Sequence, residues 1–322
     1  MRKLLCIATA IVAGMTVSAS AQSAYPSHPV RMIVPAAAAG GNDIIARLIA
    51  QRLNEIWGQP VVVENKTGGG GNIAGQFVAR AKPDGYTLLV SFGGVITINP
   101  YLYKEMGFDP IKDLTPVTNL ATAPYVLAIN PKMVPARSIK DFIAFVKASP
   151  TRLTWGGTAK GSPDHLSGEL FSIMANLQTT HVPYKGGAEA LLDVLGDRVP
   201  YGFFTIPTSL AYLKSGQLLP LGISDTKRAG LLPDVAPIAD TLPGYQVLTW
   251  YGVWAPAGTP ADVVNKIQAD IKKALDSDVV KKRLVDGGFD AVGDSPAEFA
   301  NYVKNENEKY GQIISRIGIQ KN

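Results

Sequence analysis

An α/β fold built on parallel strands is the class this sequence predicts, from two observations. From residue 25 onward, short apolar runs of strand length alternate with stretches of helical apolar spacing. The 32 glycines and 23 prolines among 322 residues supply many tight turns between those runs. The length suggests about two domains of ordinary size. At 46% hydrophobic and 18% charged residues, the chain is too apolar to be disordered and too polar for a multi-span membrane protein. Lys and Arg outnumber Asp and Glu by 31 to 26, but the excess is scattered and its longest run is Lys281-Lys282-Arg283, so no nucleic-acid partner is indicated. Three His and one Cys all but exclude a Cys/His metal site or thiol chemistry, and no cofactor is expected.

The elements follow in order. Val30-Arg31-Met32-Ile33-Val34 is a β-rich run, and Ile44, Ile45, Leu48, Ile49, Leu53 and Ile56 then repeat at helical spacing up to a stop at Gly58. Val61 to Glu64 is a second strand, a glycine-rich loop and a helix through Ala79 come next, and Tyr86 to Val90 is a third strand. A second unit of the same kind begins near Val126-Leu127-Ala128-Ile129. Its helices open at Ser138 and Ser162, each with an acid in the first turn, Asp141 and Asp164, and Pro163 suits the first helical position. Two capping-box starts, Thr259-Pro260-Ala261-Asp262 and Ser295-Pro296-Ala297-Glu298, lead into amphipathic helices.

The amino terminus reads as a secretory signal peptide. Met1-Arg2-Lys3 is basic, residues 4 to 17 are apolar, and Ala19-Ser20-Ala21 is an A-x-A cleavage site that leaves Gln22 first. The competing reading is a membrane anchor, but about fourteen residues at ~1.5 Å each span only ~21 Å of a ~30 Å hydrocarbon core. Cleavage removes Cys6, so the mature chain folds without disulfides, and the loss of Arg2 and Lys3 takes the net charge from +5 to +3.

Three strand-to-helix junctions are small and flexible: Ala36 to Asp43, Thr67 to Asn72, and Trp155 to Ser162. Free N–H groups and the helix dipole make such junctions ready anion sites, and small side chains let an anion approach the backbone. Any one of them reads equally well as an ordinary turn, whereas three at equivalent places favour a shared cleft. Enzyme readings lack their signals. Gly69-Gly70-Gly71-Asn72-Ile73-Ala74 fits a permissive dinucleotide pattern, yet Glu64 to Gly68 separates it from the strand, and no second strand ends in an acid at the required distance. His165 and His181 are conceivable bases, but a His in a helix's first turn or flanking a strand is more often a packed residue.

An ordered set of motifs resembles the Bug-type solute receptors, the extracytoplasmic subunits of tripartite tricarboxylate transporters. It runs from Val34-Pro35 through Gly40-Gly41-Asn42-Asp43, Val62 to Lys66, Ala81-Lys82-Pro83-Asp84-Gly85-Tyr86-Thr87 and Gly161-Ser162-Pro163-Asp164-His165-Leu166 to Val182-Pro183-Tyr184-Lys185-Gly186 and Trp250 to Pro260. The resemblance covers essentially the whole mature chain. It implies a two-lobed periplasmic binding protein of type II, with residues 1–21 removed, lobe one from 22–123 plus 248–322, lobe two from 124–247, and crossings near Ala123-Pro124 and Val247-Leu248. It implies a monomer in the periplasm that captures a small carboxylate, aromatic acids included, and serves membrane permease subunits. A sensor protein as the partner stays open, and an enzyme is the least supported reading. Carried over from the resemblance, the ligand contacts fall on Ala39, Gly40, Asn42, Gly70, Gly71, Asn72, Ser91 and Gly93 of lobe one, and on Thr158, Ser162, Phe204 and Thr205 of lobe two.

Two departures from the family pattern stand out. Ala36 replaces the usual aromatic residue and Ala39 the usual first Gly of its pair, which leaves a less bulky first loop. Tyr201-Gly202-Phe203-Phe204-Thr205 stands where many relatives carry an acid followed by Asn, so the lobe-two wall is expected to be uncharged and the best ligands to lack an α-amino group.

Overall fold

The computed structural model describes residues 25–38 and 40–321; the proposed signal peptide, its cleavage site and Ala39 lie outside the described residues. The first three strands are β1 (Val30–Val34), β2 (Val61–Asn65) and β3 (Thr87–Phe92). They pair in parallel in the order β2-β1-β3, with Val30 opposite Val61 and Arg31 opposite Thr87. Between them run α1 (Gly41–Trp57) and α2 (Asn72–Ala79). Helix α1 ends where the sequence places its stop, because Gly58 at φ 61° takes the left-handed conformation and its N–H caps Asn54. Two short helices follow, α3 (Gly93–Thr97) and α4 (Asn99–Leu102).

The next strand, β4 (Leu114–Ile129), belongs to both halves of the sheet. Its first part pairs antiparallel with a late strand, out to Pro124 opposite Leu248, and from Tyr125 opposite Thr205 it pairs elsewhere. After β4 come α5 (Ile139–Ala148), β5 (Thr154–Gly157), α6 (Pro163–Ala175), β6 (Thr180–Pro183), α7 (Gly187–Leu195), β7 (Tyr201–Thr205), α8 (Ile206–Lys214) and β8 (Leu219–Ile223). The chain then returns through β9 (Leu248–Pro256), followed by α9 (Ala261–Asp276), α10 (Asp278–Asp286), β10 (Asp290–Ala291) and α11 (Pro296–Ile317). The full path is β2-β1-β3-β9-β4-β7-β5-β6, with β8 and β10 also pairing to β4. The strands β5, β6 and β7 are parallel like the first three, so the antiparallel β4 and β9 lie between two parallel groups.

Both faces of each group are covered, which is why the strands read as nearly continuous apolar runs. On β1, Met32 and Val34 pack under α1, α9 and α10 with Ile49, Leu53, Ile267 and Ile271, whereas Ile33 faces Val78, Trp254 and Phe299 on the opposite side. On β4, Leu127 and Ile129 join Phe142, Trp155 and Phe171, while Val126 and Ala128 join Leu191, Val194 and Phe204. The C-terminal helix bridges the two groups: Phe299 and Val303 pack beneath β3 and β9, while Tyr310, Ile313 and Ile314 pack on Leu166 of α6 and on Val247.

Capping follows the sequence at three of four predicted starts. Ser138 and Ser162 accept from the third residues of α5 and α6, and Ser295 with Glu298 forms a reciprocal capping box on α11. Thr259 does not cap. Its hydroxyl donates to Pro256 O at 2.8 Å, and Pro260 occupies the position before α9 instead.

Candidate functional site

A cavity of about 380 Å3 opens at the middle of the sheet path, where β3 and the second parallel group end. Four strand-to-helix junctions line it: Phe92 to Gly94 after β3, Thr158 with Ser162 to Asp164 after β5, Gly187-Ala188 after β6, and Phe203 to Thr205 with Thr208 after β7. The crossing strands supply Tyr125 and Leu248 to Tyr251, and α11 supplies Tyr310. Binding at the carboxyl ends of strands is the general rule for open α/β sheets, since the following helices turn their free N–H groups toward the opening.

The lining is aromatic on the crossing-strand side. Trp250 is 1% exposed and ringed by Trp254, Phe299 and Tyr302, with centroids at 5.9, 5.8 and 5.3 Å. Gly93 is a glycine for a reason that can be named: a methyl group there would overlap the Trp250 indole. The Tyr125 hydroxyl lies 2.5 Å from Thr249 Oγ1, and burial, reinforced by the charge of Asp164, pushes its pKa far up. Burial pushes Tyr251 up to about 12. Both phenols are therefore neutral hydrogen-bonding groups at ordinary pH.

The sequence-expected contacts divide into two sets. Gly93, Thr158, Ser162, Phe204 and Thr205 line the cavity. Gly40, Asn42, Gly70, Gly71, Asn72 and Ser91 stand outside that lining, and Ala39 is not among the described residues. Several of their polar groups make internal bonds, although the buried Asn42 Oδ1 has no hydrogen-bond partner. Asn42 Nδ2 donates to Val90 O at 3.0 Å, and Ser91 Oγ donates to Phe92 O at 3.1 Å. Asn99 Nδ2 reaches both Gly70 O and Asn72 Oδ1, at 3.1 and 2.7 Å. These loops nevertheless back the lining: a Cβ on Gly41 would sit 3.1 Å from the Tyr251 hydroxyl, and one on Gly71 would sit 3.7 Å from Phe92 Cζ.

Asp164 is the residue that sequence reasoning placed in a helix's first turn without seeing its second role. It is 7% exposed and lines the cavity, and its carboxylate accepts from Thr158 N at 2.5 Å and Thr158 Oγ1 at 2.6 Å. The wall expected to be uncharged thus carries a carboxylate, supplied by the first turn of α6 and not by the junction after β7. Phe204 itself is only 2% exposed and packs with Val126 and Ala190, so it offers the cavity little of its ring. The signal for Asp164 was its position, two residues past a Ser cap at a glycine-rich junction.

His165 and His181 are outside the lining. His165 is 3% exposed, faces Trp155 and His181 at centroid distances of 5.9 and 4.4 Å, and its Nδ1 accepts from Gly161 N at 3.1 Å. Burial, with the nearby His181 and Lys160, pulls it down to about 3 and keeps it neutral. No group of His, Cys, Asp or Glu that would hold a metal ion occurs among the described residues.

A mixed sheet with a cavity between two strand-to-helix faces is the architecture of a solute-binding receptor, and comparison with known proteins gives the family. The profile described as "Tripartite tricarboxylate transporter family receptor" (TctC) matches residues 45–319, and the chain belongs to that family. It is 31% identical over 322 residues to Protein BugT of Bordetella pertussis, spanning 99% of this chain and 98% of that one. The solved R. palustris protein with adipate is 35% identical with a TM-score of 0.76, covering 92% of this chain and all of that one (100%). MatC from Rhodopseudomonas palustris with bound malate is 31% identical with a TM-score of 0.71, covering 90% and 100%. The chain is thus a Bug-type receptor, and receptors of its family are periplasmic. No helix among the described residues is long and apolar enough to cross a membrane.

Proposed function

We propose that this protein captures a small organic carboxylate in the central cavity and presents it to membrane permease subunits of a tripartite tricarboxylate transporter, without chemical change to the ligand. One observation carries the reading: four strand-to-helix junctions meet at one cavity sized for a small ligand. The adipate and malate held by the two relatives support the ligand class. In this reading residues 22–123 with 248–322 form one lobe and 124–247 the other, and the change of pairing between Pro124 and Tyr125 supports a crossing there. In the same reading the receptor works as a single copy.

The ligand touches Gly93, Thr158, Ser162, Thr205 and the edge of Phe204. In the same reading the first two loops, at Ala39, Gly40, Asn42 and Gly70 to Asn72, and Ser91 belong to the grip on the ligand's carboxylate. A ligand at ~100 times its Kd stabilises the folded chain by roughly 2.7 kcal/mol. A thermal-shift screen of mono-, di- and tricarboxylates, with recovery of the unaltered acid afterwards, tests the reading. Silence across the acids, or conversion of one to product, would refute it.

A further inference from the structure

The geometry points to Asp164 as the residue that decides which carboxylates the cavity takes: it selects a carboxylate whose far end is an ammonium group over one whose far end is a second carboxylate. The inference rests on the proposed carboxylate-binding role and goes on to the chemistry of the ligand's other end.

Asp164 carries the one charged side chain among the described residues that line the cavity. At 7% exposure its charge is largely removed from water, and a buried charge is costly unless it is partnered. Its hydrogen-bond partners within the protein are the Thr158 amide and hydroxyl, its place in the first turn of α6 adds the helix dipole, and the nearby His181 interacts with it electrostatically, although burial pulls that imidazole's pKa down. None of the described Lys, Arg or His side chains lies within ion-pair distance of it. A carboxylate has about four acceptor positions, and Thr158 fills one on each oxygen. Acceptor capacity and a net negative charge are therefore left over at the cavity wall.

A second ligand carboxylate would enter this space with no cationic side chain to meet it, and like charges in a confined, poorly hydrated volume repel. An ammonium group would find Asp164 as an acceptor of opposite charge. The ligand's own carboxylate would be left to the backbone N–H groups at the start of α7, where Gly187 has open space around it. The aromatic ring at position 204 had suggested the opposite preference from sequence, because the acid comes from the first turn of α6.

The competing role for Asp164 is a strut that only steadies Thr158, and matched ligands separate the two. Calorimetry on the purified mature protein would compare pentanoate, 5-aminopentanoate and glutarate, and in parallel hexanoate, 6-aminohexanoate and adipate. The wild type is expected to bind the amino acid at least tenfold more tightly than the dicarboxylate of the same length. In Asp164→Asn, the amino acid should weaken at least tenfold and the dicarboxylate should tighten. Equal or tighter binding of the dicarboxylate by the wild type would overturn the inference, as would an equal change for all end groups in the variant. If Asp164→Asn fails to fold, by circular dichroism, the wild-type ranking alone decides. If no carboxylate binds the wild type, whatever its end group, the carboxylate-binding role falls and this inference with it.

Discussion

Gly93→Ala tests whether the cavity depends on the close approach of a backbone to the Trp250 ring. The added methyl would overlap Cε2, Nε1 and Cζ2 of the indole. The ring cannot retreat into the core, because Trp254, Phe299 and Tyr302 hold its other sides at centroid distances of 5.1 to 5.9 Å from one another or from it. It moves toward the cavity, or β3 and β9 separate where Phe92 pairs with Tyr251. Overpacking of this kind costs about 1–3 kcal/mol. For a chain of this length each kcal/mol corresponds to roughly 2–4 °C in melting temperature, so a fall of several degrees is expected. The displaced indole also takes space from a cavity of about 380 Å3, so ligand affinity should drop at least ~10-fold, equivalent to about 1.4 kcal/mol. Urea unfolding followed by circular dichroism, with calorimetric titration of any acid found in the screen, measures both. Unchanged stability together with unchanged affinity would show that the Trp250 contact does not shape the site.

Three further outcomes are expected. A His kept neutral down to about 3 binds fewer protons folded than unfolded, so stability is present above ~6.5 and falls as pH drops below it, by at most ~1.4 kcal/mol per pH unit; urea unfolding at pH 7, 6 and 5 should give a shallower loss for His165→Gln, and an unchanged slope counts against the assignment. Phe204→Asp places a charge among Val126, Ala190 and Phe204's other apolar neighbours, so it should destabilise by roughly 3 kcal/mol or more, or prevent folding, while Phe204→Leu is tolerated; a stable Asp variant would mean that the ring is not packed as described. Intact mass of the protein from a periplasmic extract should lack residues 1–21, and retention of that segment in a membrane fraction would remove the signal peptide.

The parts of the fold legible in the sequence are those whose causes are local. Ser138, Ser162 and Ser295 cap because each needs only the amide three residues on, and Gly58 ends α1 because its own backbone turns left-handed. Thr259 misled for the complementary reason: its hydroxyl had a nearer acceptor in Pro256. The full span of β4 was hidden because Thr115, Pro116, Thr118 and Asn119 interrupt its apolar run, and distant partners fix its pairing. At the site, only the junction after β5 was among the three small, flexible turns readable from sequence; the other two, after β1 and β2, stand outside the lining, and Gly93, Phe204 and Thr205 were expected from the family resemblance alone. The roles of Tyr125, Trp250 and Tyr310 were not, since strands and a helix far apart in sequence bring them to one wall.

Because Leu114 pairs with Pro256 and Pro124 with Leu248, the antiparallel ribbon at the centre of the sheet cannot form until nearly the whole chain is available. The residues that finish the cavity come later still, for Tyr310 lies on the last helix and packs against Leu166 and Val247. Contacts so distant in sequence must close large loops before they give anything back, which makes assembly slow compared with that of locally wired folds. The ligand site therefore comes into existence only after the C-terminal end of the chain has arrived.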